Sequence, residues 1–291
     1  MIMKNLIFVF LFFAATWSLS AQELIVLGGA GLQKTDSTVS TNYGFAQARY
    51  MIALAGNLRV GPYLGYTQYG SKEFYKTPHP ALLGKEFSYG LSVDKYGPLN
   101  YSHSYYFWLN GGLKSVQDKF QDNFFKSDTK TTEVFLSGGF FVTDEYNWHG
   151  WFSNNRFMAE YQKPIKSTID ATWKGEKISN ITAYNKESLR LFAESGVRRF
   201  GKATGVNIEP LIHAGFGRDF GRDKNYYEVG GGIGLGLMKD WYRDIFKVKV
   251  FWREDLNNSY VNVNSRTPGG SLCTEFVFNA SALFKAIKKN K

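Results

Sequence analysis

IFKVKVFWRE, residues 245–254, decides the fold: along an extended chain Phe246, Val248, Val250 and Trp252 fall on one side, Lys247, Lys249, Phe251 and Arg253 on the other. The same period-two segment, about ten residues long and ended by a turn, recurs from Tyr43 to Phe284 with no helical period between. Strands of that length, alternating in character and joined by turn residues, are the pattern of a closed transmembrane β-barrel. The membrane imposes closure, because an open sheet edge would leave backbone groups without partners in lipid. A charge at mid-depth on the lipid side costs roughly 2–4 kcal/mol, so the charged set of each strand is expected inside.

Working outward from 245–254, strands are expected near 23–32, 43–55, 57–69, 85–95, 102–113, 131–142, 155–163, 187–200, 204–217, 225–237 and 272–284. The expected architecture is an all-β, antiparallel, up-and-down barrel of about twelve strands, within a range of ten to fourteen. Tight connections fall at Gly56, Tyr96-Gly97-Pro98, Gly201-Lys202-Ala203 and Lys239-Asp240-Trp241, and longer outer loops are expected over 70–84, 114–130, 164–186 and 255–270. Thr143 to Asn154 is long for a tight turn, and Arg218 to Lys224 is short for an outer loop. Thr168 to Ile181 reads as a hairpin, either an extension above the membrane or two further strands. Short turns on the periplasmic side place both termini in the periplasm.

The face rule selects the candidate site. In 187–200, Leu189, Leu191, Ala193 and Val197 face lipid and Arg190, Glu194 and Arg198 face the lumen. In 204–217, Val206, Ile208, Ile212, Ala214 and Phe216 face lipid and Asn207, Glu209 and His213 the lumen. The same rule sends Arg49, Arg59, Glu86, Asp94, Glu133, Arg156, Glu160, Glu228 and Glu275 inward. A basic track of Arg190, Arg198, Lys247, Lys249 and Arg253 therefore stands beside the acidic residues Glu160, Glu194, Glu209 and Glu228.

Two readings follow. Arg and Glu on neighbouring strands pair and fill the barrel, or the basic track draws an anionic solute, as rings of Lys and Arg do in pores. A barrel near eight strands is filled by its own side chains and one near sixteen leaves a channel, so about twelve lies between. The strand NYYEVGGGIGLGL (225–237) adds a glycine lane, because Gly230, Gly232, Gly234 and Gly236 share the lumen face. Such a lane is open to a solute, to an inward-folded loop, or to the curvature of a narrow barrel.

The amino end fits export. Lys4, the apolar run Leu6 to Ala15 and the small residues before Gln22 read as a secretory signal over 1–21, with the barrel over 22–284. Residues 285–291 form a basic tail, KAIKKNK, expected in the periplasm. The formal charge of +10 becomes +9 without Lys4 and favours anionic partners: lipopolysaccharide phosphates, acidic sugars or nucleic acid. The basic residues are scattered among acids, which argues against nucleic acid. A single cysteine, Cys273, permits no internal disulfide. Aromatic clusters such as Tyr105 to Trp108 and Tyr226-Tyr227 suit interfacial girdles, and Tyr63, Tyr106, Trp108 or Phe251 could stack on sugar.

No cofactor or metal is expected: the loop acids Asp118, Asp122 and Asp128 are interleaved with lysines. Enzymatic function is a minor alternative, that of a lipid-modifying hydrolase. In Ser102-His103-Ser104 adjacent residues point to opposite faces, so His103 cannot serve either serine. His79 and His149 lie in loops, and His213 has no nucleophile two residues away.

In plan, size and basic lumen the chain resembles bacterial outer-membrane up-and-down barrels, and most of all the narrow twelve-stranded channels for acidic oligosaccharides. That resemblance covers 22–284 and rests on pattern, so it carries over no site residues. It implies a passive channel for small, anionic solutes, with outer-membrane lipids and the barrel-assembly machinery as partners. The alternative is a plugged barrel that stabilises the membrane or binds a surface partner through its outer loops. Barrels of this kind usually end on an aromatic residue, whereas here Phe284 is followed by the basic tail.

Overall fold

A computed structural model describes residues 22–34, 40–54, 56–71, 81–100, 103–144, 154–179, 187–196, 199–200, 206–221, 223–240, 243–255 and 269–279. The segment expected as a secretory signal, the carboxy-terminal residues with Phe284, His79, His149 and Arg198 lie outside them, as do 72–80, 145–153 and 256–268.

The strands are β1 (Gln22–Lys34), β2 (Ser40–Ala53), β3 (Leu58–Ser71), β4 (Ala81–Pro98), β5 (His103–Gln121), β6 (Phe125–Asp144), β7 (Asn154–Trp173), β8 (Glu176–Lys177), β9 (Ser188–Gly196), β10 (Arg199–Phe200), β11 (Val206–Asp219), β12 (Lys224–Asp240), β13 (Arg243–Asp255) and β14 (Gly269–Asn279). Of these fourteen, β8 and β10 have two residues each, so twelve strands build the wall. All pairings are antiparallel between sequence neighbours, with β7 meeting β9 and β9 meeting β11 across the two short pieces. Pairing of β1 with β14, from Ile25 opposite Asn279 to Lys34 opposite Gly270, closes the ring. The chain is a closed, antiparallel, up-and-down transmembrane barrel.

The alternation predicted for each strand sets the outer surface. Phe87, Tyr89 and Leu91 on β4, Val134 and Leu136 on β6, Ile208 and Ile212 on β11, and Phe246, Val250 and Trp252 on β13 are all exposed on the outside. Between them the lumen side is buried and largely polar. This inversion of a soluble core follows from lipid as the outer solvent.

Several connections differ from expectation, two of them by many residues. The stretch 114–130 is no loop: β5 runs to Gln121 and β6 starts at Phe125, so the two strands continue as one tall hairpin. Most of the segment expected as a loop over 164–186 is likewise strand, since β7 reaches Trp173 and turns back through Lys174 and Gly175. Both turn residues have positive φ, 50° and 89°, as a two-residue hairpin of this hand requires. Of the two readings for Thr168 to Ile181, the extension is the one found. The tips of the two tall hairpins are tied together: Lys174 N donates to Phe124 O at 2.6 Å, and the Phe124 and Trp173 rings lie 5.9 Å apart. At the other end Gly56 and Asn57, with φ of 63° and 61°, make the tight turn into β3. The turn expected at Tyr96 to Pro98 falls just beyond β4, where Leu99 N donates to His103 O at 2.8 Å. Lys239 and Asp240 likewise belong to the end of β12.

Candidate functional site: the ion-paired lumen

Lys247 and Lys249 are two residues apart on β13, so both enter the lumen, where they are 3% and 6% exposed. An ammonium buried to that degree needs a carboxylate. Lys247 reaches over β12 to Glu209 on β11. Lys249 passes β12 and β11 and donates to Glu194 on β9 at 2.7 Å. Arg156 on β7 comes within 3.4 Å of Glu194 and 3.6 Å of Glu209, and so joins both pairs.

The glycine lane makes these reaches possible. By register Gly236 stands opposite Lys247, Gly234 opposite Lys249 and Gly230 opposite Arg253, while Gly232 pairs with Phe251. A Cβ at Gly234 would lie 3.1 Å from Lys247 Cε and 3.6 Å from Glu209 Cβ. The bare face of β12 is therefore the surface over which the lysine arm lies. Gly215 does the same for Glu228, whose Cγ sits 2.6 Å from where a Cβ would stand.

Next to this cluster His213 lies between two carboxylates, with Nε2 2.7 Å from Glu228 Oε1 and Nδ1 3.8 Å from Glu194 Oε1. Arg190 donates to the same Glu228 oxygen at 2.7 Å, lies 3.3 Å from Glu160, and covers the Phe192 ring with its guanidinium 4.5 Å from the centroid. The predicted acidic residues thus stand against the described basic ones. Arg253 is placed by its backbone opposite Gly230 and Ser271, and Glu275 opposite Lys249 and Gly29.

Two further clusters fill the opposite wall. Near the short turns Arg59 holds Asp94 with both arms of its fork, at 2.6 and 2.7 Å, and reaches Glu23 across β2. Tyr106 donates to Asp94 at 2.9 Å, and the Arg59 guanidinium lies 5.3 Å from the Tyr96 ring centre. Higher up, Lys114 donates to Gln162 at 2.6 Å and stands 3.2 Å from Glu133 and 3.6 Å from Glu86. Lys114 belongs to the segment expected as an outer loop. Carrying the alternation of β5 two residues past Gly112 would have placed it inside.

Some contacts span the lumen itself. Tyr63 on β3 meets Phe135 on β6, ring centres 5.5 Å apart. Tyr43 on β2 packs on buried Leu211 of β11, and those strands stand five places apart in the ring, close to diametrically opposite. Neither Tyr43 nor Leu211 carries a charge, and nothing in the sequence marks them as a pair. Among the described lumen cations, Arg190 is held by Glu228 and Glu160, and Arg49 has its Nη1 buried with no hydrogen-bond partner. It lies close enough to Tyr63 and Tyr106 to act on both electrostatically. Of the serine-histidine stretch, Ser104 is buried on the lumen side, and the His103 ring lies 3.1 Å from Asn100 Oδ1.

No family model matches the chain, and no curated protein matches it in sequence. Similarity appears in structure. The β domain of the Bordetella autotransporter BrkA superposes with a TM-score of 0.52 at 16% identity, covering 89% of this chain and 99% of that one. The translocator domain of the autotransporter NalP from Neisseria meningitidis gives 0.52 at 10% identity, over 95% and 94% of the two chains. The KdgM porin in complex with disordered oligogalacturonate overlaps at a TM-score of 0.35 and 9% identity, covering 87% of this chain and 98% of that one. The two autotransporter likenesses are of fold: the chain shares the architecture of bacterial outer-membrane β-barrels.

Proposed function

We propose that this is an outer-membrane barrel, with its termini on the periplasmic side, whose lumen is closed at rest by its own side chains and which meets its surroundings through the tall flank of β4 to β8. The observation that carries this reading is the contact of Tyr43 with Leu211 from nearly opposite walls. The ion pairs around it support the same conclusion, since Lys249 spans two strands to reach Glu194. A solute entering here would have to separate buried charges. Each broken pair leaves an uncompensated ion at a cost of about 3–5 kcal/mol. Liposome swelling in a small neutral sugar tests the reading. Vesicles with the wild-type barrel are expected to stay as tight as empty ones, and vesicles with Tyr43→Ala/Leu211→Ala to swell. Swelling with the wild type would reject it.

The second reading is a narrow passive channel preferring small anions, and Arg49 favours it. Its unpartnered Nη1 is a place where an anion gains a hydrogen bond without displacing a carboxylate. In that case the wild type conducts, its reversal potential under a potassium chloride gradient favours chloride, and Arg49→Gln weakens that preference. The basic track contributes little in this reading, because Lys247 and Lys249 are already neutralised by Glu209 and Glu194.

A further inference from the structure

Up the outer face of the tall flank the side chains change character in a fixed order. On β4 the outward series runs Leu91, Tyr89, Phe87 and then Lys85, and on β6 it runs Leu136, Val134, Thr132 and then Lys130. On β7 Phe157 is followed higher up by Lys163 and Lys166. Register brings three of them close to one level: Lys85 stands opposite Gln117, Gln117 opposite Lys130, and Lys130 opposite Thr168, two residues from Lys166, while Lys163 stands lower, opposite Val134 at the top of the apolar belt. All four lysines are exposed. None makes an ion pair or side-chain hydrogen bond with a described residue, whereas Lys119 and Lys177 just above pair with Asp128 and Asp170 at 3.7 and 3.9 Å.

An irregularity in β7 aligns two of them. Lys163 and Lys166 are three apart and would face opposite sides of a regular strand. The register shifts there, Glu133 pairing with Pro164 and Thr132 with Lys166, so Ile165 is an extra residue and Lys166 turns outward. Bulges of this kind re-aim a side chain. Above the row, among the hairpin tips, a cavity of about 430 Å³ is lined by Lys119, Lys126, Asp128 and Asp170, which the alternation sets on the outer face, and also by Phe120 and Ala171, which it sets on the inner one.

We propose that Lys85, Lys130, Lys163 and Lys166 bind the phosphates of a phosphorylated glycolipid of the surrounding leaflet, its acyl chains lying on the belt of Phe87, Tyr89 and Val134 and its sugar backbone against the cavity above. The vertical order apolar, cationic, polar hollow matches the order acyl, phosphate, sugar in such a lipid. This rests on the membrane reading, and heat-shifted gel mobility after insertion into vesicles tests that reading separately. The direct experiment is a native mass spectrometry titration of the folded barrel with bisphosphorylated lipid A and with the same lipid stripped of both phosphates. A lysine near an anionic surface is worth roughly fivefold in affinity. The wild type is expected to prefer the phosphorylated lipid by at least about tenfold, and Lys85→Gln/Lys130→Gln/Lys163→Gln/Lys166→Gln to lose that preference. Lys95→Gln, at the opposite edge of the belt, should leave it unchanged. Equal binding of the two lipids by the wild type would overturn the proposal, as would an undiminished preference in the fourfold variant.

Discussion

Lysines on the two faces of the wall do opposite things. Lys247 and Lys249 point inward, are nearly fully buried, and each holds a carboxylate at the far side of a glycine strip. Lys85, Lys130, Lys163 and Lys166 point outward and are exposed at the upper edge of the apolar belt, without ion pairs among the described residues. One residue type, placed by the same period-two rule, meets a low-dielectric interior in one case and a headgroup layer in the other. The interior lysines must be matched within the protein, and the exterior ones are left for something outside it.

If that contrast holds, the largest effect should come from the inner face. Glu194→Gln strips the partner from Lys249 and weakens the hold on Arg156, and is expected to destabilise the barrel by about 3–5 kcal/mol. The check is the urea midpoint for loss of heat-shifted gel mobility in vesicles. A change as small as that of a surface substitution would break the contrast. Ile212→Lys places a lysine where neither solution exists, on the lipid side at 61% exposure, and should cost roughly 2–4 kcal/mol by the same assay if Ile212 lies near mid-depth. Gly234→Val fills the strip under Lys247 and is expected to cost about 1–3 kcal/mol through overpacking. The smallest effect belongs to the outer row. Lys130→Gln should move the midpoint by no more than about 0.5 kcal/mol, since it holds no ion pair or side-chain hydrogen bond among the described residues.

Much of this was legible in the sequence where lipid enforced it. Within the membrane one face must be apolar, so Phe246 to Trp252 could be assigned outward and Lys247 and Lys249 inward from spacing alone. Above the membrane both faces of a strand are polar and the period vanishes, although the hydrogen-bonded ladder continues. The upper parts of β5 and β6 therefore read as a loop over 114–130; Lys114 stands lower, opposite Ser88 and Glu133 at the level of the apolar belt, and was lost only because the strand was ended one residue too soon, at Leu113. The bulge at Ile165 leaves no mark in the hydrophobic pattern either, because it falls where that pattern has ended. Partner choice was hidden for another reason. Lys249 finds Glu194 across two intervening strands, and which residues share a level around a barrel depends on the shear, which no single strand encodes. The glycine lane was visible, but its use was not: it reads equally as a path or as a seat until the lysine arms are seen lying over it.

The central claim is that the lumen is closed by its own side chains, and single-channel recording in a planar bilayer tests it most directly. The wild-type barrel is expected to insert without discrete conductance steps, and Tyr43→Ala/Leu211→Ala combined with Lys249→Ala/Glu194→Ala to show them. Discrete open steps from the unaltered protein would contradict the account and return the lumen to the role of a channel.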